Sequence, residues 1–99
     1  MSLTNQNKKF YRNIGHNLNP IVIVAGKGLS DGVLAELDRA LEDHELIKVK
    51  IAIVDREIRK ACVQEMCLTL NAEAVQEIGK VALIYRKSRK KELKTSNVR

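Results

Sequence analysis

The sequence is short of the residues that several function classes need. It has no tryptophan, and phenylalanine and tyrosine together make up 3% of its 99 residues. The paired aromatic side chains on which RRM domains stack RNA bases are therefore missing. Its two histidines and two cysteines do not follow zinc-ligand spacing, which argues against a metal site. No Ser-His-Asp or Cys-His set can be assembled, so we predict no enzyme activity, no cofactor and no small-molecule substrate.

Long apolar runs are also missing. The longest, residues 21–25, is far too short for a secretory signal or a membrane span. The 44% of apolar residues is enough to bury one core without disulfides. We therefore expect a single soluble domain in the cytoplasm, with no membrane partner.

Charge of both signs is abundant but segregated along the chain. The net charge is +6, which favours a polyanionic partner. Residues 86–99 contain seven Lys or Arg and one Glu, so this segment alone accounts for a net charge of +6. Residues 29–45 contain six acids and one Arg. We predict a folded domain over residues 1–86 and a basic, disordered tail over residues 87–99.

The first half of the chain reads as helix, strand, helix. The periodicity predicts a helix over residues 3–14, with Phe10 in the core. The β-branched run 21–24 is typical of a central strand that is buried on both faces. Ser30 or Asp31 can cap the helix that follows.

The second half adds a strand, a helix and a hairpin. Strict alternation over residues 46–54 predicts a strand, and Asp55 can cap a helix that ends near Asn71 and buries Ile58. Two short strands, 74–78 and 81–85, flank a two-residue turn. The order αβαβαββ predicts a two-layer α/β fold with a four-stranded mixed sheet.

A glycine loop, Gly26-Lys27-Gly28, lies between a predicted strand and a helix N-terminus, where backbone N–H groups can hold an anion. A tight turn without a ligand explains the glycines equally well. The loop does not match the Walker phosphate-binding motif. A dinucleotide fingerprint is off by one position because its third glycine is Gly32, so a dinucleotide-binding enzyme fragment stays an alternative.

Four spaced blocks carry the most specific pattern in the sequence: residues 21–33, 40–50, 75–80 and 85–86. Together they resemble the CRM domain family, named for chloroplast RNA splicing and ribosome maturation, and in particular its bacterial single-domain YhbY-type members. The resemblance implies an αβαβαββ fold similar to the C-terminal domain of bacterial translation initiation factor three. It also implies binding to ribosomal RNA in large-subunit precursors, as an assembly factor. The family's G-x-x-G loop aligns with residues 25–28, so Ala25 replaces its first glycine, and we expect Gly26 to adopt the unusual backbone conformation instead.

The predicted RNA-binding residues are the loop and nearby basic side chains. They are Gly26, Lys27, Gly28, Lys8, Arg12, Lys48, Lys50, Arg56, Arg59, Lys60 and Arg86. An alternative of another class is a protein-interaction module that uses the acidic second helix.

Overall fold

The fold is built on a four-stranded mixed sheet. The computed structural model describes residues 3–26 and 28–99. Its elements are α1 Asn5–Gly15, β1 Pro20–Val24, α2 Asp31–His44, β2 Leu46–Ile51, α3 Arg56–Leu70, β3 Glu73–Ile78 and β4 Val81–Tyr85. The strand order is β1-β2-β4-β3; β1 runs parallel to β2, and the other pairs are antiparallel. The predicted element order and the mixed α/β sheet are confirmed.

Local capping sets the helix ends. The side-chain oxygen of Thr4 accepts a hydrogen bond from the third residue beyond it, and Ser30 and Asp55 do the same for α2 and α3. Such caps satisfy backbone N–H groups that have no partner inside the helix. Asn71 is left-handed, with φ of 56°, and ends α3 as predicted. Helix α1 begins at Asn5, two residues later than predicted.

Helices cover both faces of the sheet. Helices α2 and α3 pack on one face, where Leu37 and Met66 are fully buried. Helix α1 packs on the other face and brings Tyr11 and Ile14 against Leu83. The prediction of two layers is therefore wrong, because β2 and β4 carry buried apolar side chains on both faces.

Strand β1 lies at an edge of the sheet, not at its centre as its apolar run predicted. Val22 and Val24 are buried, but Ile21 and Ile23 are 49% and 60% exposed. The exposure arises because α1 packs on β2 and β3 and leaves this part of the sheet uncovered. The central strands are β2 and β4.

Two predicted core residues are on the surface. Phe10 and Ile58 are each 57% exposed. On α1 it is Tyr11 that turns toward the sheet, and its ring stacks on Tyr85 with centroids 4.7 Å apart. On α3 the buried stripe includes Val63, which lies on another side of the helix from Ile58.

Strand β2 ends at Ile51, three residues before the predicted end. The Ile53 and Val54 carbonyls accept hydrogen bonds from the Arg59 guanidinium, both at 2.8 Å. These bonds to α3 fix residues 52–55 as a connection outside the sheet.

The C-terminal segment, residues 87–99, packs on the domain, so the prediction of a disordered tail differs from the structure. The Ser88 N–H donates to Glu45 Oε2 at 2.6 Å, and Arg99 Nε donates to Glu45 Oε1 at 2.8 Å. Asn97 Nδ2 also donates to the carbonyl of Leu46 at 2.7 Å. The physical reason is charge, since the basic segment lies against the acidic end of α2.

Candidate nucleic-acid interface

One end of the sheet gathers three connections. Because β1 and β2 are parallel, their carboxyl ends meet, and the Ala52 N–H donates to the Val24 carbonyl at 2.8 Å. The Ile51 N–H donates to the carbonyl of Lys80 at 2.6 Å, which brings the β3–β4 turn to the same place. We call this region the loop end: residues 25–30, residues 52–60 and the turn Gly79-Lys80.

The glycine loop makes a tight turn at the loop end. Gly28 has φ of 74°, its N–H donates to the Ala25 carbonyl at 2.9 Å, and its carbonyl accepts from Ser30. Neither Ala25 nor Gly26 has a positive φ, so the expectation that Gly26 takes the unusual conformation is wrong. The space around the Cα of Gly26 is open, which leaves room for a ligand to approach the backbone. Lys27 lies outside the described residues.

Basic side chains surround this loop end. Arg56 and Lys60 lie in the first turns of α3, Lys80 lies in the hairpin turn, and Lys50 is exposed near the end of β2. Within residues 3–26 and 28–99 none of these four forms an ion pair. Arg59 differs, because its guanidinium holds the β2–α3 connection. The arrangement leaves several cations available to one anionic partner.

Lys80 is a site residue that the sequence analysis missed. It lines the same cleft as Arg56 and Lys60. The signal that could have found it is topological. A hairpin that pairs with β2 must place its turn at one end of β2, and an antiparallel β2–β4 pair places it at the carboxyl end.

The remaining predicted cations are spread over the surface. Lys48 lies on the sheet face that α1 partly covers, in a shallow depression that also includes His16 and Gln76. Lys8 and Arg12 lie on α1 and are half-buried. No described contact joins these two to the loop end.

Arg86 is held at the opposite end of the sheet. Its guanidinium donates to Asp38 Oδ1 at 2.8 Å, to Glu42 Oε2 at 3.2 Å and to the Leu70 carbonyl at 3.1 Å. Its side chain is 15% exposed. These contacts join α2, α3 and β4, so the structure gives Arg86 a packing role and does not bring it together with the other predicted residues.

The acidic end of α2 is paired with basic residues that follow β4. Every ion pair in the described part of the chain joins residues 86–99 to residues 38–45. Burial alone would raise the pKa of Glu45, but hydrogen bonds from Arg99, Ser88 and Ser96 outweigh it and hold that pKa below its ordinary value. Hydrogen bonds from the Arg89 backbone and the Ser88 hydroxyl lower the pKa of Glu42 in the same way. Much of the acidic surface is thus occupied, which weakens the alternative of a protein-interaction module on α2.

Among the described residues, no helix is both long enough and apolar enough to cross a membrane. In the same part of the chain, no three His, Cys, Asp or Glu side chains are grouped closely enough to hold a metal ion.

Comparisons with known proteins agree with the fold. The family model of the CRS1 / YhbY (CRM) domain matches residues 3–86. A probable RNA-binding protein of Pseudomonas aeruginosa is 52% identical over 98 residues, which cover 99% of this chain and 94% of that protein. An RNA-binding protein of Haemophilus influenzae is 42% identical over 87 residues, 88% of each chain. The solution structure of a hypothetical protein of Staphylococcus aureus superposes with a TM-score of 0.80 at 30% identity, covering 92% of this chain and 95% of the other.

The mixed αβαβαββ sheet and these matches together define the class. The chain belongs to the CRS1 / YhbY (CRM) domain family.

Proposed function

We propose that this protein binds structured RNA through the loop end and acts as a binding factor without catalysing a reaction. The observation that carries the proposal is the contrast between the two ends of the sheet. Arg56, Lys60 and Lys80 at the loop end and Lys50 beside it form no ion pair with described residues, whereas Arg86 at the other end is paired with carboxylates. The names of the relatives from Pseudomonas and Haemophilus support RNA as the partner.

Phosphate contacts are the main source of affinity in this proposal. Lysine and arginine that neutralise phosphates release condensed counterions, and this supplies sequence-independent affinity. The glycine loop adds a backbone that a phosphate can approach closely at Gly26, while Gly28 holds the turn and Lys27 lies between them in the sequence. The predicted loop site and the basic start of α3 therefore work as one surface.

Other basic residues extend that surface in the proposal. Lys48 and Lys50 alternate with inward-facing residues along β2, so both project from the face that α1 leaves partly open. Lys8 and Arg12 on α1 can meet a large RNA that wraps this face. Arg59 acts on RNA indirectly, since it holds the connection from which α3 begins.

The proposed RNA is ribosomal RNA in precursors of the large subunit, and the proposed compartment is the cytoplasm. The choice of ribosomal RNA comes from the family resemblance. The protein would hold a folded RNA segment during assembly and leave before translation begins.

Crosslinking in cells, followed by sequencing of the bound RNA, tests the proposed RNA directly. We expect reads concentrated in large-subunit ribosomal RNA, and a sucrose gradient should place the protein with large-subunit precursors. Uniform migration with translating ribosomes, or reads spread over unrelated messages, would contradict the assembly role. A titration with NADH is the control for the dinucleotide alternative, for which we expect no saturable binding.

A further inference from the structure

The loop end contains a cleft that is more than a basic surface. It lies between the start of α3 and the β3–β4 turn and has a volume of about 390 Å³. Clefts that hold small ligands measure about 300 to 1,000 Å³. The cleft is thus large enough for a compact ligand and too small for a helix.

Its floor is apolar. Ile51, Val63 and Ala82 form part of the lining, and these residues are only 1%, 3% and 1% exposed. They belong to the packed core between α3 and the sheet, so the floor is rigid. Because these apolar side chains are almost fully covered, a ligand in the cleft meets mainly the polar and charged rim.

Its rim is cationic. Arg56, Lys60 and Lys80 line the cleft, and none of them forms an ion pair in the described part of the chain. Two of these cations lie near the start of α3, where the helix dipole disfavours positive charge. An anion at the rim would relieve both the mutual repulsion and the repulsion from the dipole.

One carboxylate completes the lining. Glu77 on β3 is exposed and is the single acid among the described residues that line the cleft. A carboxylate next to a cationic rim disfavours a second anion at that spot but accepts hydrogen bonds from N–H donors. The ligand should therefore carry both an N–H edge and an anionic group.

We propose that this cleft holds one unpaired nucleotide, with the N–H edge of its base toward Glu77 and its phosphate among the rim cations. The inference rests on the proposed function and narrows it, because a base inside a duplex is stacked and cannot enter a cleft, whereas an unpaired base can. Guanine fits the acceptor well, since its N1–H and its amino group are adjacent donors. The same nucleoside phosphate chemistry could come from RNA or from a free nucleotide, and we assign it to RNA because the exposed Lys50, outside the cleft and without an ion pair among the described residues, extends the cationic surface beyond it.

The test compares two RNA hairpins that differ by a single bulged guanosine, with affinities measured by fluorescence anisotropy. We expect the bulged hairpin to bind about tenfold more tightly, the size of one well-placed base contact. Replacing the bulged guanosine with uridine should remove most of that gain. Guanosine monophosphate should displace the bulged hairpin only at millimolar concentration, because it lacks the contacts outside the cleft. Micromolar binding of the monophosphate without a bulge preference would overturn the assignment to RNA.

Two matched variants test whether Glu77 causes the preference for the bulged guanosine. Glu77→Gln removes the acceptor in the cleft, and Glu65→Gln removes the same charge from an exposed position of α3 outside it. Both should bind the paired hairpin at least as tightly as the wild type, and only Glu77→Gln should lose the guanosine preference. If both hairpins bind equally well to the wild type, the nucleotide site is wrong while RNA binding stands. If neither hairpin nor any ribosomal RNA fragment binds, the proposed function itself fails.

Discussion

Removing Arg56 and Lys60 together tests whether the loop end contacts phosphates. Both side chains line the cleft and form no ion pair with described residues. Each phosphate contact contributes about 0.7 to 0.9 to the slope of log affinity against log salt. Arg56→Gln/Lys60→Gln should therefore flatten that slope by about 1.4 to 1.8. If the variant and the wild type bind equally at 1 M salt, the variant should bind roughly 25-fold to 60-fold more weakly than the wild type at 0.1 M salt.

The same variant should not lose stability. A cation near a helix N-terminus is unfavourable by about 0.3 to 1 kcal/mol, so replacing Arg56 removes a local cost. The melting temperature should stay the same or rise. Weaker RNA binding by a protein that is at least as stable cannot be attributed to unfolding, which makes the binding measurement interpretable.

A charge-matched control separates local contact from net charge. Arg89→Gln/Lys90→Gln removes the same two charges, but these side chains face Glu42 and Asp43 at 3.8 Å and 2.7 Å. We expect a much smaller change of slope, measured by anisotropy of a labelled hairpin over about a tenfold range of salt. Equal flattening in the two double variants would refute the reasoning, because net charge and not the loop end would then determine affinity.

Three further predictions concern the fold. Gly15→Ala should lower the free energy of unfolding by about 1 to 3 kcal/mol in urea titrations, because a Cβ at this position would lie 2.6 Å from a methyl group of buried Leu83. The control is Gly32→Ala, where the atom nearest to the added Cβ lies at 4.0 Å. This change should raise the free energy of unfolding by about 0.5 to 1 kcal/mol. Burial raises the pKa of Cys67 to about 11, so iodoacetamide at pH 8 should modify it about two orders of magnitude more slowly than a free thiol, and a normal rate would contradict its burial. The lowered pKa of Glu45 stabilises the folded state above the ordinary carboxyl pKa, and this contribution is lost as pH falls through the lowered value. Amide protection in residues 87–99 should therefore disappear in acid before the sheet unfolds, whereas simultaneous loss would show that the segment is no separate unit.

Local signals account for most of the secondary structure that could be predicted. Ser30, Asp55 and Asn71 act over three or four residues, so their capping roles can be read from the sequence and are confirmed. The alternation in β2 and the turn before β4 are equally local. These signals do not depend on how the elements pack.

The packing of the elements determined which side chains of α1 and β1 are buried, and local sequence patterns could not predict this. Phe10 and Tyr11 are neighbours about 100° apart on a helix, and either could face the sheet. The ring of Tyr85 stacks on Tyr11, and burial in this contact raises the pKa of Tyr85 to about 12. The apolar run of β1 likewise could not reveal an edge strand. Whether Ile23 is covered depends on where α1 lies, which its own sequence does not specify.

The candidate site was predictable in part for the same reason. The glycine loop and the basic start of α3 each follow a strand, and parallel strands bring their carboxyl ends together, so the sequence could place both at one end. Lys80 joins them only through the register of the hairpin on β2, in which Val81 faces Lys50. Arg86 was assigned to RNA from its charge, but its carboxylate partners lie more than forty residues earlier in the chain.

Net charge pointed to the C-terminal segment as the main attraction for a polyanion, since residues 86–99 alone carry +6. The structure pairs four of these cations, Arg86, Arg89, Lys90 and Arg99, with the acidic end of α2, where Arg99 reaches Glu45 at 2.8 Å and Lys90 reaches Asp43 at 2.7 Å. Opposite charges at such distances largely cancel for a partner that approaches from farther than the Debye length, about 10 Å at 0.1 M salt. At the loop end, by contrast, Arg56, Lys60 and Lys80 form no ion pair among the described residues, so their positive charge is not cancelled in this way. A short segment rich in lysine and arginine thus shields the acidic helix, and the cations of the loop end stay available to the proposed RNA.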